Sequence, residues 1–255
     1  MKLGFIGTGN IVSDVVTGIC KSKIKFKKII VSPRNKNKAQ KLKKKFKKVT
    51  IAKNNQEVVD NSDWLFLGVL PEVGKQILPK LRYKNKQIIV SFISTINYAQ
   101  LKKIVKKKLK IVRAIPMPPI RLGKGPVAIF PPDKQVKGFF NKIGKTIEIR
   151  NEKLSLNFWT MSSMMAPYYE ILNHLSLWLH KKGLNKIKAE NYITSLFLGL
   201  SKNAYQNKYK NLNELVKKSQ TPKGLNEQGL KEMNKKNVYK SFINTLNSIH
   251  KRLNK

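Results

Sequence analysis

The chain has 255 residues, 41% hydrophobic and 9% aromatic, which supplies a packed core and excludes global disorder. No apolar run reaches the roughly 18 residues of a membrane-spanning helix. A single cysteine, Cys20, and three histidines, His174, His180 and His250, exclude a disulfide framework and leave no zinc set, so a reducing, cytoplasmic setting is expected. The 53 Lys and Arg against 13 Asp and Glu give a net charge of +40, which favours phosphorylated ligands. The lysines are spread along the chain and arginine is scarce. That pattern reads as compositional bias on a solvated surface, with a polyanion such as nucleic acid as the alternative partner.

In chain order, residues 2–6 form a buried strand closed by the turn Gly7-Thr8-Gly9. The glycines and the polar Asn10 and Asp14 interrupt any secretory apolar core, so the start of the chain reads as structure. Ile11, Val12, Val15, Val16 and Ile19 then recur at helical spacing. Residues 28–32 form a second strand ended by Pro33, and Ala39, Leu42 and Phe46 line a second helix. Strands follow at 49–52, 64–70, 87–92 and 110–114, with a helix behind Pro71 and a lysine-faced helix ahead of the last. Two more strands are expected at 125–131 and 146–149. Alternation at this spacing predicts an α/β fold over residues 1–150, a Rossmann-like, mostly parallel sheet covered on both faces.

Residues 151–255 show only helical periods, near 155–182, 186–206, 212–219 and 236–253, and predict an all-α domain. Tyr192, Ile193, Leu196, Phe197, Leu198 and Leu200 leave one of these helices apolar nearly all round. A domain of about 100 residues scarcely buries such a helix by itself, so a second subunit is expected to cover it.

The strongest chemical signal is Gly7-Thr8-Gly9-Asn10-Ile11-Val12, set between a strand and a helix. Two glycines allow a tight turn and close approach of a pyrophosphate, and the helix N-terminus offers free amides and its dipole. Val12 stands where a third glycine or alanine is usual, which sets helix and strand slightly further apart. After the second strand comes Val31-Ser32-Pro33-Arg34-Asn35-Lys36, with no acid to accept from a ribose 2′-hydroxyl. Ser32 and Arg34 instead offer donors to a 2′-phosphate, with Lys36 and Lys38 adding field, so NADPH is the expected cofactor.

Further segments fall in a telling order: Gly7-x-Gly9-Asn10, Ser32-x-Arg34, Asn55, Val69-Leu70-Pro71, Arg113-Ala114-Ile115-Pro116, and Thr221-Pro222-Lys223-Gly224-Leu225-Asn226 with Gly229-Leu230. Together they resemble the pyrroline-5-carboxylate reductases over nearly the whole chain, as a divergent member. The resemblance implies an NADPH-dependent reduction of a cyclic imine carboxylate to proline, in proline biosynthesis. It implies a helical dimerisation domain, and a homodimer or higher oligomer. Gly7, Thr8, Gly9, Asn10, Ile11, Ser32, Arg34, Asn55, Val69, Leu70 and Pro71 would hold the cofactor. Thr221, Lys223, Gly224, Leu225 and Asn226 would hold the substrate, and Asn226 would inherit the contact to the ring nitrogen as the catalytic group. The nicotinamide would face a cleft closed by the helical domain, contributed in part by a partner subunit.

The departures cluster around substrate. Leu70 stands for a lysine, Met117 for an asparagine and Lys223 for a glycine; Ser162 to Ala166 reads Ser-Ser-Met-Met-Ala for Gly-Ser-Gly-Pro-Ala; Leu225-Asn226 replaces a pair ending in threonine. They keep two alternatives open: an imine or keto-acid reductase with another substrate, and a non-catalytic relative whose basic surface binds a polyanion. Tyr168, Tyr169 and His174 are secondary proton-donor candidates, though packing or an interface accounts for them as well.

Overall fold

The computed structural model describes residues 1–206 and 211–254, and these form two compact units, Met1–Trp159 and Thr160–Lys255. In the first unit β1 (Lys2–Ile6), α1 (Asn10–Lys21), β2 (Lys28–Val31), α2 (Lys36–Lys45), β3 (Val49–Ile51), α3 (Asn55–Asp60) and β4 (Trp64–Leu67) alternate. There follow α4 (Pro71–Ile77), β5 (Ile88–Ser91), α5 (Tyr98–Val105), β6 (Lys110–Pro116), β7 (Pro126–Phe130), α6 (Lys134–Phe140) and β8 (Lys145–Glu148). The eight strands form one sheet in the order β3-β2-β1-β4-β5-β6-β7-β8. The first six are parallel, β7 runs antiparallel to β6, and β8 is parallel to β7. The reversal follows from the link between β6 and β7, residues 117–125, which holds a short 3-10 turn, Pro118–Leu122. A parallel crossover takes about a dozen residues or more, usually a helix.

Alternation along the strands divides the apolar side chains between two faces. Leu3, Phe5, Ile29, Val31, Trp64, Phe66 and Val90 meet Val12, Val15, Val16 and Ile19 of α1 and Phe139 and Phe140 of α6. Ile6, Ile30, Leu65, Leu67, Ile89 and Ile111 meet Val58 and Val59 of α3 and Leu101 and Val105 of α5. Strands buried on both sides lose the polar alternation of a surface strand, so Trp64-Leu65-Phe66-Leu67 is wholly buried. Phe66 stacks on Phe5 with ring centroids 4.5 Å apart, and Trp64 on Phe139 at 5.0 Å. Each such side chain contributes about 1.5–3 kcal/mol through burial.

Beyond the sheet, Ile115, Ala128 and Ile149 pack with Phe158 and Trp159, which draws the chain through Trp159 into the first unit. The remaining helices are α7 (Ser155–Ser162), α8 (Met165–Lys181), α9 (Lys186–Gln206), α10 (Leu212–Lys218), α11 (Leu225–Lys235) and α12 (Val238–Leu253). The single helix expected over 155–182 is broken between Ser162 and Met165. Pro167 has no N–H for the carbonyl of Ser163, and its ring would collide with that carbonyl in a continuous helix. Within the second unit α8 packs along α9, with Tyr168 edge-on to Phe197 at 6.3 Å. Its buried residues, among those described, are Thr160, Ser176, Ala189 and Ile193. Meanwhile Trp178, Ile187, Tyr192, Leu198 and Leu200 are 56–69% exposed, more apolar surface than a solvated helical unit leaves open.

Candidate active site

β1 lies between β2 and β4, where the strand order reverses, and the crevice beyond its carboxyl end is where such sheets bind ligands. Gly7 turns the chain there at φ +94°, and a Cβ on it would stand 2.4 Å from the carbonyl oxygen of Gly68. Only glycine fits. Gly9 differs: a Cβ there would meet no heavy atom within 4 Å. The turn is braced from below by Ser32, whose Oγ accepts from the Gly7 amide at 2.9 Å while its carbonyl accepts from Thr8 Oγ1 at 2.8 Å. Ser32 is therefore buried beneath the turn, 1% exposed, and is not among the residues lining the groove.

α1 begins at Gly9 without a side-chain cap. By contrast α2, α3, α5 and α6 are capped by Asn35, Asn54, Asn97 and Asp133. The free amides of the first turn of α1, with about half a positive unit charge from the dipole, are left for an anion.

Around this turn opens a groove of about 850 Å³, within the range of small-molecule and cofactor sites. It gathers Gly7, Thr8, Gly9, Asn10 and Ile11 with Arg34, Val69, Leu70 and Pro71, segments far apart in sequence. Arg34 is exposed at its rim, and Lys38 donates to Asn10 Oδ1, which sets a second cation between α2 and the turn. Leu70, 74% exposed, precedes Pro71 at the uncapped start of α4. Asn55 opens α3 and is not among the lining residues. Phe92, Ile93 and Ser94 form a wall that motif reading missed. The available signal was topological, because every parallel strand ends at this edge and the residues after β5 must arrive beside those after β4.

In the helical unit, α11 starts at Gly224, again without a side-chain cap. Lys223 has φ +60°, and its amide donates to Glu227 Oε2 at 2.6 Å. Glu227 Oε1 lies 2.7 Å from Lys231 Nζ, and the Lys231 and Lys223 bonds hold its carboxyl below the usual glutamate range. Lys223, Gly224 and Glu227 border a recess of about 210 Å³, while Thr221, Leu225 and Asn226 are exposed and outside it. Asn226 Nδ2 donates to the Ser219 carbonyl at 2.9 Å. Tyr168 and Tyr169 are exposed on α8, and His174 Nε2 pairs with Glu170 at 2.9 Å. Cys20 is half-buried, and burial pushes its thiol up to about 11, far from a nucleophile's range.

Two family models match separate parts of the chain: "NADP oxidoreductase coenzyme F420-dependent" over residues 2–95 and "pyrroline-5-carboxylate reductase dimerisation" over residues 153–255. Pyrroline-5-carboxylate reductase 3 of Danio rerio is 33% identical over 128 residues, spanning 49% of this chain and 44% of that protein. Pyrroline-5-carboxylate reductase of Staphylococcus haemolyticus is 25% identical over 97% of this chain and 95% of its own. The fold is that of the Plasmodium falciparum pyrroline carboxylate reductase solved with NADP bound, at TM-score 0.85 and 21% identity, covering 99% of this chain and 97% of that one. An α/β sheet matched by an oxidoreductase model and a helical unit matched by the dimerisation model of the pyrroline-5-carboxylate reductases follow one another in this chain, which is similar to those reductases along nearly its whole length.

Proposed function

We propose that this protein is an NADPH-dependent reductase of a small cyclic imine carboxylate, turning pyrroline-5-carboxylate into proline in a cytoplasmic biosynthetic role. The observation that carries the reading is the uncapped start of α1 behind Gly7-Thr8-Gly9, open to a groove with Arg34 on its rim and no carboxylate in its lining. The first-turn amides of α1 suit a pyrophosphate, and Arg34 with Lys36 suits a 2′-phosphate that an acidic rim would repel. When bound, NADPH supplies the hydride. Val69, Leu70, Ile93 and Ser94 shape the other end of the groove.

The 221–226 turn is the part of the chain assigned to substrate. The first-turn amides of α11 suit a carboxylate, while the Lys223 amide is already taken by Glu227. With Nδ2 committed to Ser219, Asn226 keeps Oδ1 as an acceptor for the N–H of a protonated imine. Hydride addition to that carbon leaves the proton on nitrogen, so a neutral acceptor suffices. The helical unit, whose family model is one of dimerisation, is assigned to a homodimer or larger assembly.

The test is oxidation of NADPH with racemic pyrroline-5-carboxylate, beside a panel of cyclic imines and 2-keto acids. Turnover with pyrroline-5-carboxylate above the others is expected. Tight NADPH binding without that turnover would refute the substrate and leave the cofactor reading standing.

A further inference from the structure

Arg113 lies in β6 with 6% of its surface exposed, in a chain whose cations are otherwise overwhelmingly surface lysines. Burying a guanidinium is costly unless its donors are used. Its Nη1 donates to Glu152 Oε1 at 2.5 Å, and its Nη2 donates to the Ser94 carbonyl at 2.6 Å, with the Ile93 carbonyl at 3.5 Å. The same Glu152 oxygen accepts from the Tyr98 amide at 2.7 Å. One ion pair thereby ties down both ends of the irregular segment between β5 and α5. The Phe92 amide still donates to the Leu67 carbonyl of β4 at 2.8 Å, but the carbonyls of Ile93 and Ser94 beyond it are met by a side chain, and the planar fork of an arginine reaches acceptors in two directions.

Ile93 and Ser94 are also groove wall. β2 and β5 are separated by β1 and β4, so this wall stands about 14 Å from the strand end that carries Arg34. With a 2′-phosphate on Arg34, that far end receives the nicotinamide. We infer that Arg113 and Glu152 are a positioning pair that sets the wall against which the nicotinamide ring lies, acting through the Ile93 and Ser94 backbone and touching neither cofactor nor substrate. The inference rests on the cofactor reading above.

The experiment compares Glu152→Gln and Arg113→Lys with the wild type in the full chain. It measures binding of NADPH, binding of 2′,5′-ADP (which carries the phosphate end alone) and amide hydrogen exchange across 93–98. Both variants are expected to lose about tenfold or more in NADPH affinity and keep wild-type affinity for 2′,5′-ADP, with faster exchange confined to 93–98. NADPH affinity within about threefold of wild type overturns the inference, whatever the exchange shows, and so does equal loss of both ligands. Should Arg113→Lys fail to fold, Glu152→Gln decides, because it keeps an acceptor for the Tyr98 amide. A wild type that takes up neither nucleotide refutes the cofactor reading itself and this inference with it, a result visible before any variant is made.

Discussion

Two glycines of one motif are expected to fail in opposite ways when replaced. At Gly7 an alanine would be held at φ +94°, and its Cβ would stand 2.4 Å from the Gly68 carbonyl oxygen, an atom of a backbone already bonded through Gly68 N to Ile6 at 2.8 Å. Left-handed backbone costs roughly 1–2 kcal/mol in a non-glycine residue, and forced overpacking adds about 1–3. Gly7→Ala should therefore destabilise the first unit by about 2–5 kcal/mol, a fall in Tm of roughly 5–15 °C at this size. Gly9 has an ordinary φ of −78°, and its Cβ meets nothing within 4 Å, yet it lines the groove. Gly9→Val should fold with stability within about 0.5 kcal/mol of the parent. By holding a pyrophosphate off the α1 amides it should cost charge-assisted hydrogen bonds of roughly 1.5–3 kcal/mol, about 10- to 100-fold in affinity for NADPH and NADH alike. Thermal unfolding and nucleotide titration of the two variants read these quantities. A Gly9→Val protein that binds both nucleotides as the parent does would refute the placement of the pyrophosphate. A Gly7→Ala protein of undiminished Tm would refute the steric argument.

Arg34→Glu should weaken NADPH by about tenfold or more while changing NADH little, because the new charge faces only the 2′-phosphate; Michaelis constants for both cofactors check it. Leu198→Glu, at a side chain 69% exposed on α9, should drive the protein toward smaller species in light scattering, without lowering nucleotide affinity, if that face is covered by a second copy. Asp133 caps α6 by accepting from the Val136 and Gln135 amides at 2.9 and 3.0 Å, and it pairs with Lys110 at 3.0 Å. Burial pushes its carboxyl up, but these partners outweigh that and hold it below the ordinary value. Its contribution to stability is therefore present above the unfolded aspartate pKa and lost as pH falls through the lower folded one. Asp133→Ala should cost about 1 kcal/mol at neutral pH, a deficit that disappears in denaturation measured toward acid.

The eight strands of the sheet and the glycine turn were legible in the sequence because each is a local code. A strand buried on both faces is a short apolar run, and a tight turn ahead of a helix demands glycine. The apolar girth of 192–200 likewise announced surface that the helical unit leaves exposed. Short helices escaped: α3 and α6, of six and seven residues, are too brief to show a period and rest on the caps Asn54 and Asp133. Ser32 also read differently in sequence, as a donor facing ligand, whereas the fold commits its hydroxyl to the Gly7 amide. The wall at Ile93 and Ser94 and the clamp formed by Arg113 and Glu152 were invisible to any window along the chain. They exist only because a parallel sheet delivers successive strand ends to one edge and lets a cation in β6 reach carbonyls 19 and 20 residues away. Local periodicity is written in neighbouring residues, but which carbonyl a buried arginine must satisfy depends on the order in which strands lie side by side, and that order is decided by packing across the whole sheet.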